Sequence, residues 1–355
     1  MQVQSELMSL PQTLGEMFTR ARPDYERAVR GIRWGEVPVY VLGSAGTLPA
    51  GLVAGYAVEG LLGYPVVVRE VSSFLSYALG TVRSGSLVVA ISSGTSAEPD
   101  VLEVVEAVQA ARKLGAQVLA VTYESSPLCR AADRLFALPD VAGAPATGLA
   151  EACLEHAAVA YLTLIAARLF KRPNASLDRL EKDWRELPRH LDWIVSQLPA
   201  AVRSFAAELR SSRRIYFAGG GLYHPAALRA ANLAPREDCV LGIDLAGLRS
   251  DRALTSDAAV VFLSGSRGRM RKEAADLATA LKARGTACVA VTDSNDHDLI
   301  RAARLALLLP DLAELPGSIL ALAVGGWVAR EMVQHPRTTR AARRSASVSS
   351  EQQAH

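Results

Sequence analysis

Residues Ser92 to Ser96 read Ser-Ser-Gly-Thr-Ser, four hydroxyls around one glycine. Such a set offers neutral donors and acceptors, and the glycine lets backbone N–H groups approach a ligand closely. Hydroxyls and amides together suit the oxygens of a phosphate monoester on a small neutral body. No Lys follows in a GxxxxGK pattern, so this is not a nucleotide P-loop. A second hydroxyl-bearing turn, Gly43-Ser44-Ala45-Gly46-Thr47, stands earlier in the chain and lacks the GxGxxG spacing of a dinucleotide site. The competing reading of the serine run is an N-cap in a Ser-rich turn.

The flanking residues decide where these hydroxyls sit. Leu87 to Ile91 is an unbroken apolar run, which predicts a strand buried on both faces. After Pro99 the apolar residues Val101, Leu102, Val104, Val105 and Val108 take helical spacing. The serine loop is therefore expected at a strand's carboxyl end and a helix's start. Ligands bind at that edge of an open α/β sheet, and helix N–H groups attract anions there. Elsewhere, strands are predicted over Val37–Leu42, Pro65–Arg69, Gln117–Thr122 and Leu135–Leu138. Helical spacing marks Leu14–Ile32 as one or two helices interrupted at Pro23, then Ala50–Leu62, Ser72–Leu79, Leu128–Ala132 and Gly148–Phe170. Residues Met1 to Ser9 are polar and expected to fray. The alternation of strands and helices predicts a parallel sheet covered on both faces.

The pattern then repeats. Val39-Tyr40-Val41-Leu42-Gly43 is echoed by Ile215-Tyr216-Phe217-Ala218-Gly219, and Val88 to Ser92 by Val260 to Ser264. Gly115 with Val118 to Thr122 is echoed by Gly285 with Cys288 to Thr292, and Leu138-Pro139-Asp140 by Leu309-Pro310-Asp311. Matched landmarks at an offset of about 170 residues indicate a duplicated α/β domain. Between the copies, Leu177 to Leu209 has helical spacing and many charges and carries Trp184 and Trp193, which makes it a helical connector.

The composition is that of a globular chain of about two domains: 355 residues, 50% hydrophobic and 21% charged. A net charge of +3 is too small to imply a nucleic-acid partner, and the basic Arg337–Arg344 stretch reads as a solvated tail. No apolar run follows a basic start, so no secretory signal is expected. The Ile319–Ala329 stretch is too short to span a bilayer, so no membrane partner is expected. Cys129, Cys153, Cys239 and Cys288 lack CxxC spacing and read as buried free thiols in a reducing cytoplasm.

Several stretches carry a resemblance to a known family. Ala50–Val68 (AGLVAGYAVEGLLGYPVVV), Ala90–Thr122, with its serine loop, and Leu128–Gly143 (LCRAADRLFALPDVAG) resemble the first domain of double sugar-isomerase (SIS) domain proteins. Gly219–Ala231 (GGGLYHPAALRAA) resembles the start of their second domain, and Gln334–Arg337 their closing segment. The chain is similar to the isomerase half of glucosamine-6-phosphate synthase and to related phosphosugar isomerases, deaminases and deglycases. The resemblance implies the α/β class: two tandem α/β/α sandwiches, each a mostly parallel sheet flanked by helices. It divides the chain into an N-terminal helical arm (1–35), a first SIS domain (36–172), a helical connector (173–211), a second SIS domain (212–333) and a C-terminal tail (334–355). It implies a cytoplasmic protein of carbohydrate metabolism that is a homodimer. A phosphorylated sugar or amino sugar is the expected partner, and no metal or nucleotide cofactor is implied.

Carried over position by position, the sugar-phosphate cradle comprises Ser44, Thr47, Ser92, Ser93, Thr95 and Ser96. The loop is one residue shorter than the family's, and Thr147 stands where the family has a Ser-Thr-Lys segment. Aldose–ketose isomerisation needs a base between neighbouring carbons and a group that opens the sugar ring. The family's base, a Glu early in the second domain, falls on Arg236 without a gap and on Glu237 after a one-residue shift, beside the helix-disturbing Pro235. Its His-Gly-Pro segment reads Asp251-Arg252-Ala253-Leu254 here, without a His. No Lys follows Lys282; Arg343 and Arg344 occupy the tail instead. Glu237 is the first candidate base, with Glu98 and Glu151, each at a predicted helix start, behind it. His224 is a candidate for ring opening, or a hydrogen-bonded loop histidine. His156 reads as a packing residue, and His297, between Asp296 and Asp298, as part of a pH-sensitive surface turn. Ser264-Gly265-Ser266-Arg267 repeats the cradle in the second domain. Two functions follow: isomerase-type chemistry, or a non-catalytic sugar-phosphate binder that kept the cradle and lost the base.

Overall fold

Val39, Val41, Leu87, Val89 and Ile91 face one side of a sheet, and Tyr40, Leu42, Val88 and Ala90 the other; both sides are covered. Hydrophobic burial on two faces is what an unbroken apolar strand requires. The computed structural model describes residues 2–32, 34, 36–94, 98–140, 148–170, 175–234, 239–251 and 254–332.

The first half runs α1 (Gln2–Thr19), α2 (Arg22–Val29), β1 (Val39–Gly43), α3 (Leu48–Leu61), β2 (Val66–Glu70) and α4 (Val71–Ser73). A π turn over Phe74–Ala78 and a 3-10 turn over Leu79–Thr81 extend α4. Then come β3 (Leu87–Ile91), α5 (Pro99–Lys113), β4 (Gln117–Thr122), α6 (Pro127–Ala131), β5 (Arg134–Ala137) and α7 (Leu149–Phe170). The connector is α8 (Ala175–Gln197) and α9 (Pro199–Leu209). The second half runs β6 (Arg214–Gly219), α10 (Tyr223–Asn232), β7 (Val240–Asp244), α11 (Leu245–Ser250) and β8 (Ala258–Leu263). It closes with α12 (Arg271–Ala283), β9 (Ala287–Asp293), α13 (His297–Ala302), β10 (Leu305–Leu309) and α14 (Glu314–Glu331).

Two five-stranded parallel sheets result, ordered β2-β1-β3-β4-β5 and β10-β9-β8-β6-β7. In each, the chain turns one way from the first strand of its copy and the opposite way from the third. The order therefore reverses between β1 and β3, and between β6 and β8. One continuous core joins the inner faces of both sheets through α1, α3, α7, α10 and α14. α5 and α6 cover the outside of the first sheet, and α11, α12 and α13 that of the second. α7 is long and apolar enough to cross a membrane, but 94% of its apolar window is buried inside the protein. α14 is its counterpart in the second half, and the two helices pack together.

Two sequence readings need correction. The first nine residues do not fray: α1 begins at Gln2, and Val3, Leu7, Leu10, Leu14 and Met17 are at most 1% exposed. Their three- and four-residue spacing is one helical face, diluted by polar neighbours. The expected interruption near Pro23 separates α1 from α2, and Pro23 itself lies in the first turn of α2, where its missing N–H costs nothing. Of the thiols, Cys153 and Cys288 are buried, while Cys129 and Cys239 are only partly covered.

The N-terminal arm fixes α7. Glu6, 2% exposed, accepts the Ala150 N–H at 2.9 Å and so caps that helix from another element. Burial raises the Glu6 pKa, and the amides at the α7 start oppose the shift. Replacing Glu6 with Ala strands a buried amide and removes a cap. Glu6→Ala should lower stability by about 1–2 kcal/mol. Urea denaturation checks this, and an unchanged midpoint counts against the cap.

Candidate functional site

Gly43 at the end of β1 is paired with Ile91 at the end of β3, so the turn at Ser44 and the loop at Ser92 start side by side. That point is the switch point of the first sheet. The turn is tight: Thr47 N–H and Leu48 N–H both donate to the Ser44 carbonyl, at 3.0 and 2.8 Å. It brings the Ser44 and Thr47 hydroxyls within 3.4 Å, and Thr47 Oγ1 donates across the switch point to the Ile91 carbonyl at 3.2 Å. Ser44, Thr47 and Ser92 are buried at 8%, 7% and 5% exposure, and Ser93 is partly exposed. The Gly94 N–H donates to Ser92 Oγ at 3.4 Å. A Cβ on Gly94 would run into Val101 Cγ2, so the loop can lie against α5 only with glycine there. The structure thus brings Ser44, Thr47, Ser92 and Ser93 to one edge. Thr95, Ser96, Thr147 and Glu237 lie outside the described residues.

Sequence reasoning missed two residues here. Arg229, on α10 of the second half, extends its guanidinium to the first half's turn: Nη1 lies 3.7 Å from where a Cβ of Gly46 would stand. Its Nη2 is 3.9 Å from Oε2 of Glu155 on α7, beyond hydrogen-bond reach. The Glu155 side chain is fully buried, and neither carboxylate oxygen has a hydrogen-bond partner. Burial raises the Glu155 pKa to about 7, against the pull of Arg229 and of the nearby Ser93 hydroxyl. Glu151, one turn earlier, is raised in the same sense by burial and opposed by the same two groups. The structure therefore sets one guanidinium and two reluctant carboxylates against the hydroxyl edge. Two acids four residues apart in an otherwise apolar helix repel each other, and that spacing was the available signal. Arg229 gave none, because its role depends on where α10 lands.

Burial lowers the pKa of two histidines, His156 and His224. His156 Nδ1 lies 2.8 Å from the Ala152 carbonyl, but Nε2 is buried without a partner. Burial, reinforced by Arg229, pushes its pKa down to about 3, so it is only half satisfied as a packing residue. The His224 pKa is also lowered by burial, with Asp244 opposing. His224 stands on the first turn of α10, and Asp244 caps α11 through the Gly247 N–H. His297 is exposed, while its neighbour Asp296 is buried and accepts from Thr292 at 2.9 Å. Among the described residues no cluster of His, Cys, Asp or Glu is arranged to hold a metal.

The second-domain copy of the cradle is filled from within. Gly219 pairs with Leu263, so the same two loops meet. Here Tyr223 takes the place that Thr47 has in the first copy, and its hydroxyl occupies the space a Cβ on Gly265 would need. The Asp293 carboxylate accepts the Ser266 N–H at 2.6 Å and the Asn295 N–H at 2.9 Å. A protein carboxylate thus occupies the amides that an anion would use. Arg267 is held by Asp183 and Asp311.

Two parallel five-stranded sheets of this order, each flanked by helices, are a tandem pair of α/β domains of the SIS type. The chain belongs to the SIS domain family, whose sequence profile matches residues 36–166 and 208–323. No curated protein matches it by sequence. Among solved structures it is similar to the C-terminal domain of glucosamine-fructose-6-phosphate aminotransferase from Francisella tularensis. That likeness has a TM-score of 0.80 at 16% identity, over 92% of this chain and 93% of that one. It is also similar to tagatose-6-phosphate ketose/aldose isomerase from Escherichia coli, with a TM-score of 0.73 at 15% identity over 94% and 93% of the two chains. At these identities the likeness is one of fold.

The raised Glu155 pKa has a measurable sign. Between its ordinary value of 4.5 and about 7, the folded chain keeps a proton that the unfolded chain has released. This group's contribution to stability therefore declines as pH rises through that window. Glu155→Gln should remove the decline, so its stability relative to wild type should increase from pH 4.5 to 7. Denaturation at a series of pH values reads this directly; parallel pH profiles for the two proteins would refute the assignment.

Proposed function

We propose that the first-domain edge binds the phosphate of a sugar or amino-sugar 6-phosphate, and that the chain performs isomerase-type proton transfer on it. The observation that carries this reading is the meeting of Ser44, Thr47, Ser92 and Ser93 with the Arg229 guanidinium at the sheet's switch point. Hydroxyls fix the phosphate's orientation, and a guanidinium supplies the charge. Isomerases, deaminases and deglycases share an enediol or enolamine intermediate, so one base serves any of them. Glu237 is the base the family resemblance assigns. Glu151, like the fully buried Glu155, lies near Ser93, and it is the less enclosed of the two. We place the protein in the cytoplasm as a homodimer, with the partner subunit supplying the ring-opening group that Asp251–Leu254 lacks.

A second reading is a binder without turnover. It is favoured by His156 and His224, both held neutral by burial, with no His at Asp251–Leu254.

The test is a panel of hexose and hexosamine 6-phosphates, with turnover and binding measured separately. Ser93→Ala should weaken binding by about 1–3 kcal/mol, the range for a lost hydrogen bond to a charged group. Whichever of Glu237→Gln and Glu151→Gln removes the base should slow turnover by at least about 10²-fold while binding persists. If wild type binds a sugar phosphate, Ser93→Ala weakens it and nothing turns over, the binder reading replaces the enzyme. Light scattering at micromolar concentration should give the mass of two chains; a monomer would refute the shared site.

A further inference from the structure

A cavity of about 270 Å³ lies between the two halves, beside the second sheet's switch point. Its walls come from the loops after β6 and β8, the start of α14, the end of α3 and the start of α8. We propose that this cavity is a second ligand site, for a small organophosphate with an apolar or aromatic body.

Position is the first argument. Ligands of open parallel sheets bind outside the strand ends where the order reverses. In the second sheet that place is between β6 and β8. Its inner part is occupied by Tyr223 and Asp293, which leaves the outer part, against the first domain, as the open volume.

Charge is the second. Arg179, Arg267 and Arg269 line the cavity against one acid, Glu314. Arg267 is neutralised by its two aspartates. Arg179 is exposed and has no ion pair among the described residues. Arg269 reaches Glu314 only at 4.0 Å and is 77% exposed. Two guanidiniums therefore face the opening with unused donors, a pairing suited to phosphate oxygens.

Pre-organisation and body shape complete it. The partly buried Glu314 carboxylate accepts the Arg269 N–H at 3.4 Å, which holds the β8 loop to α14. Leu61, Leu180 and Leu315 supply an apolar floor, and Tyr56, 40% exposed, offers a ring face. The site is thus charged at the mouth and apolar at the base. It uses none of the first-domain cradle residues, so it stands or falls apart from the proposed function.

The probe is phenyl phosphate, titrated calorimetrically into the full-length Ser92→Ala/Ser93→Ala variant, whose cradle is weakened. One saturable site per chain is expected, binding phenyl phosphate more tightly than inorganic phosphate. Adding Arg179→Ala and Arg269→Ala should weaken it by about tenfold or more, as expected for lost charge-assisted hydrogen bonds. Both arginines are exposed, so the unfolding midpoint should not move. Gly60→Leu fills the cavity from the α3 side, where a Cβ would stand 3.5 Å from the Arg269 guanidinium, and should abolish binding. Absence of saturable binding at millimolar probe, or affinity unchanged in both the arginine and Gly60 variants, overturns the site.

Discussion

The ion pair between Glu155 and Arg229 is the contact on which the arrangement of the two halves turns. A carboxylate inside an apolar helix is tolerated only with a nearby counter-charge or with a proton. Glu155 has some of each: a guanidinium at 3.9 Å and a pKa near neutrality. The counter-charge comes from the other half of the chain, so α7 and α10 must lie side by side. Apolar packing of α3, α7, α10 and α14 in one core supplies the attraction. The pair adds to this packing, because the half-buried guanidinium cannot turn away without leaving Glu155 alone. The same side chain that neutralises α7 presents its other nitrogen to the Gly46 turn.

The duplicated halves have diverged at the point where a ligand would enter. In the first, Thr47 is small, and its hydroxyl bonds to the Ile91 carbonyl beside the Ser44 hydroxyl. In the second, Tyr223 is buried at the corresponding position, and burial drives its pKa up, so it stays neutral. Asp293 then meets the loop amides that would otherwise face an anion. A ring and a carboxylate replace ligand and water, which favours a rigid scaffold over a binding loop. The difference between the open first edge and the filled second one lies in a few side chains on a shared backbone plan.

Much of the architecture could be read from the chain. Strands such as Leu87–Ile91 are short apolar runs closed by Gly or Ser, and their length and β-branched content identify them. The repeat identified the second sheet, because Gly219 and Ser264 recur where Gly43 and Ser92 do. The serine edge was legible for the same reason: its hydroxyls are contiguous and adjoin a recognisable strand end. What could not be read is whatever depends on packing across the two halves. Arg229 looks like one of many surface arginines until α10 is laid on α7. Glu155 sits in a stretch whose overall apolarity reads as core. The N-terminal nine residues looked polar because the buried stripe of α1 is narrow, and Glu6 found its role only through Ala150.

α10 begins at the mouth of the interdomain cavity and carries Arg229 six residues further on. At 1.5 Å per residue the guanidinium's anchor is roughly 9 Å along the axis, so a tilt of about 5° at the first turn shifts it by roughly 0.8 Å. A hydrogen bond to a ligand oxygen does not survive many tenths of an ångström of stretch. The helix is therefore a lever arm by its geometry, and the seating of its first turn sets how far the Arg229 guanidinium stands from the Gly46 turn.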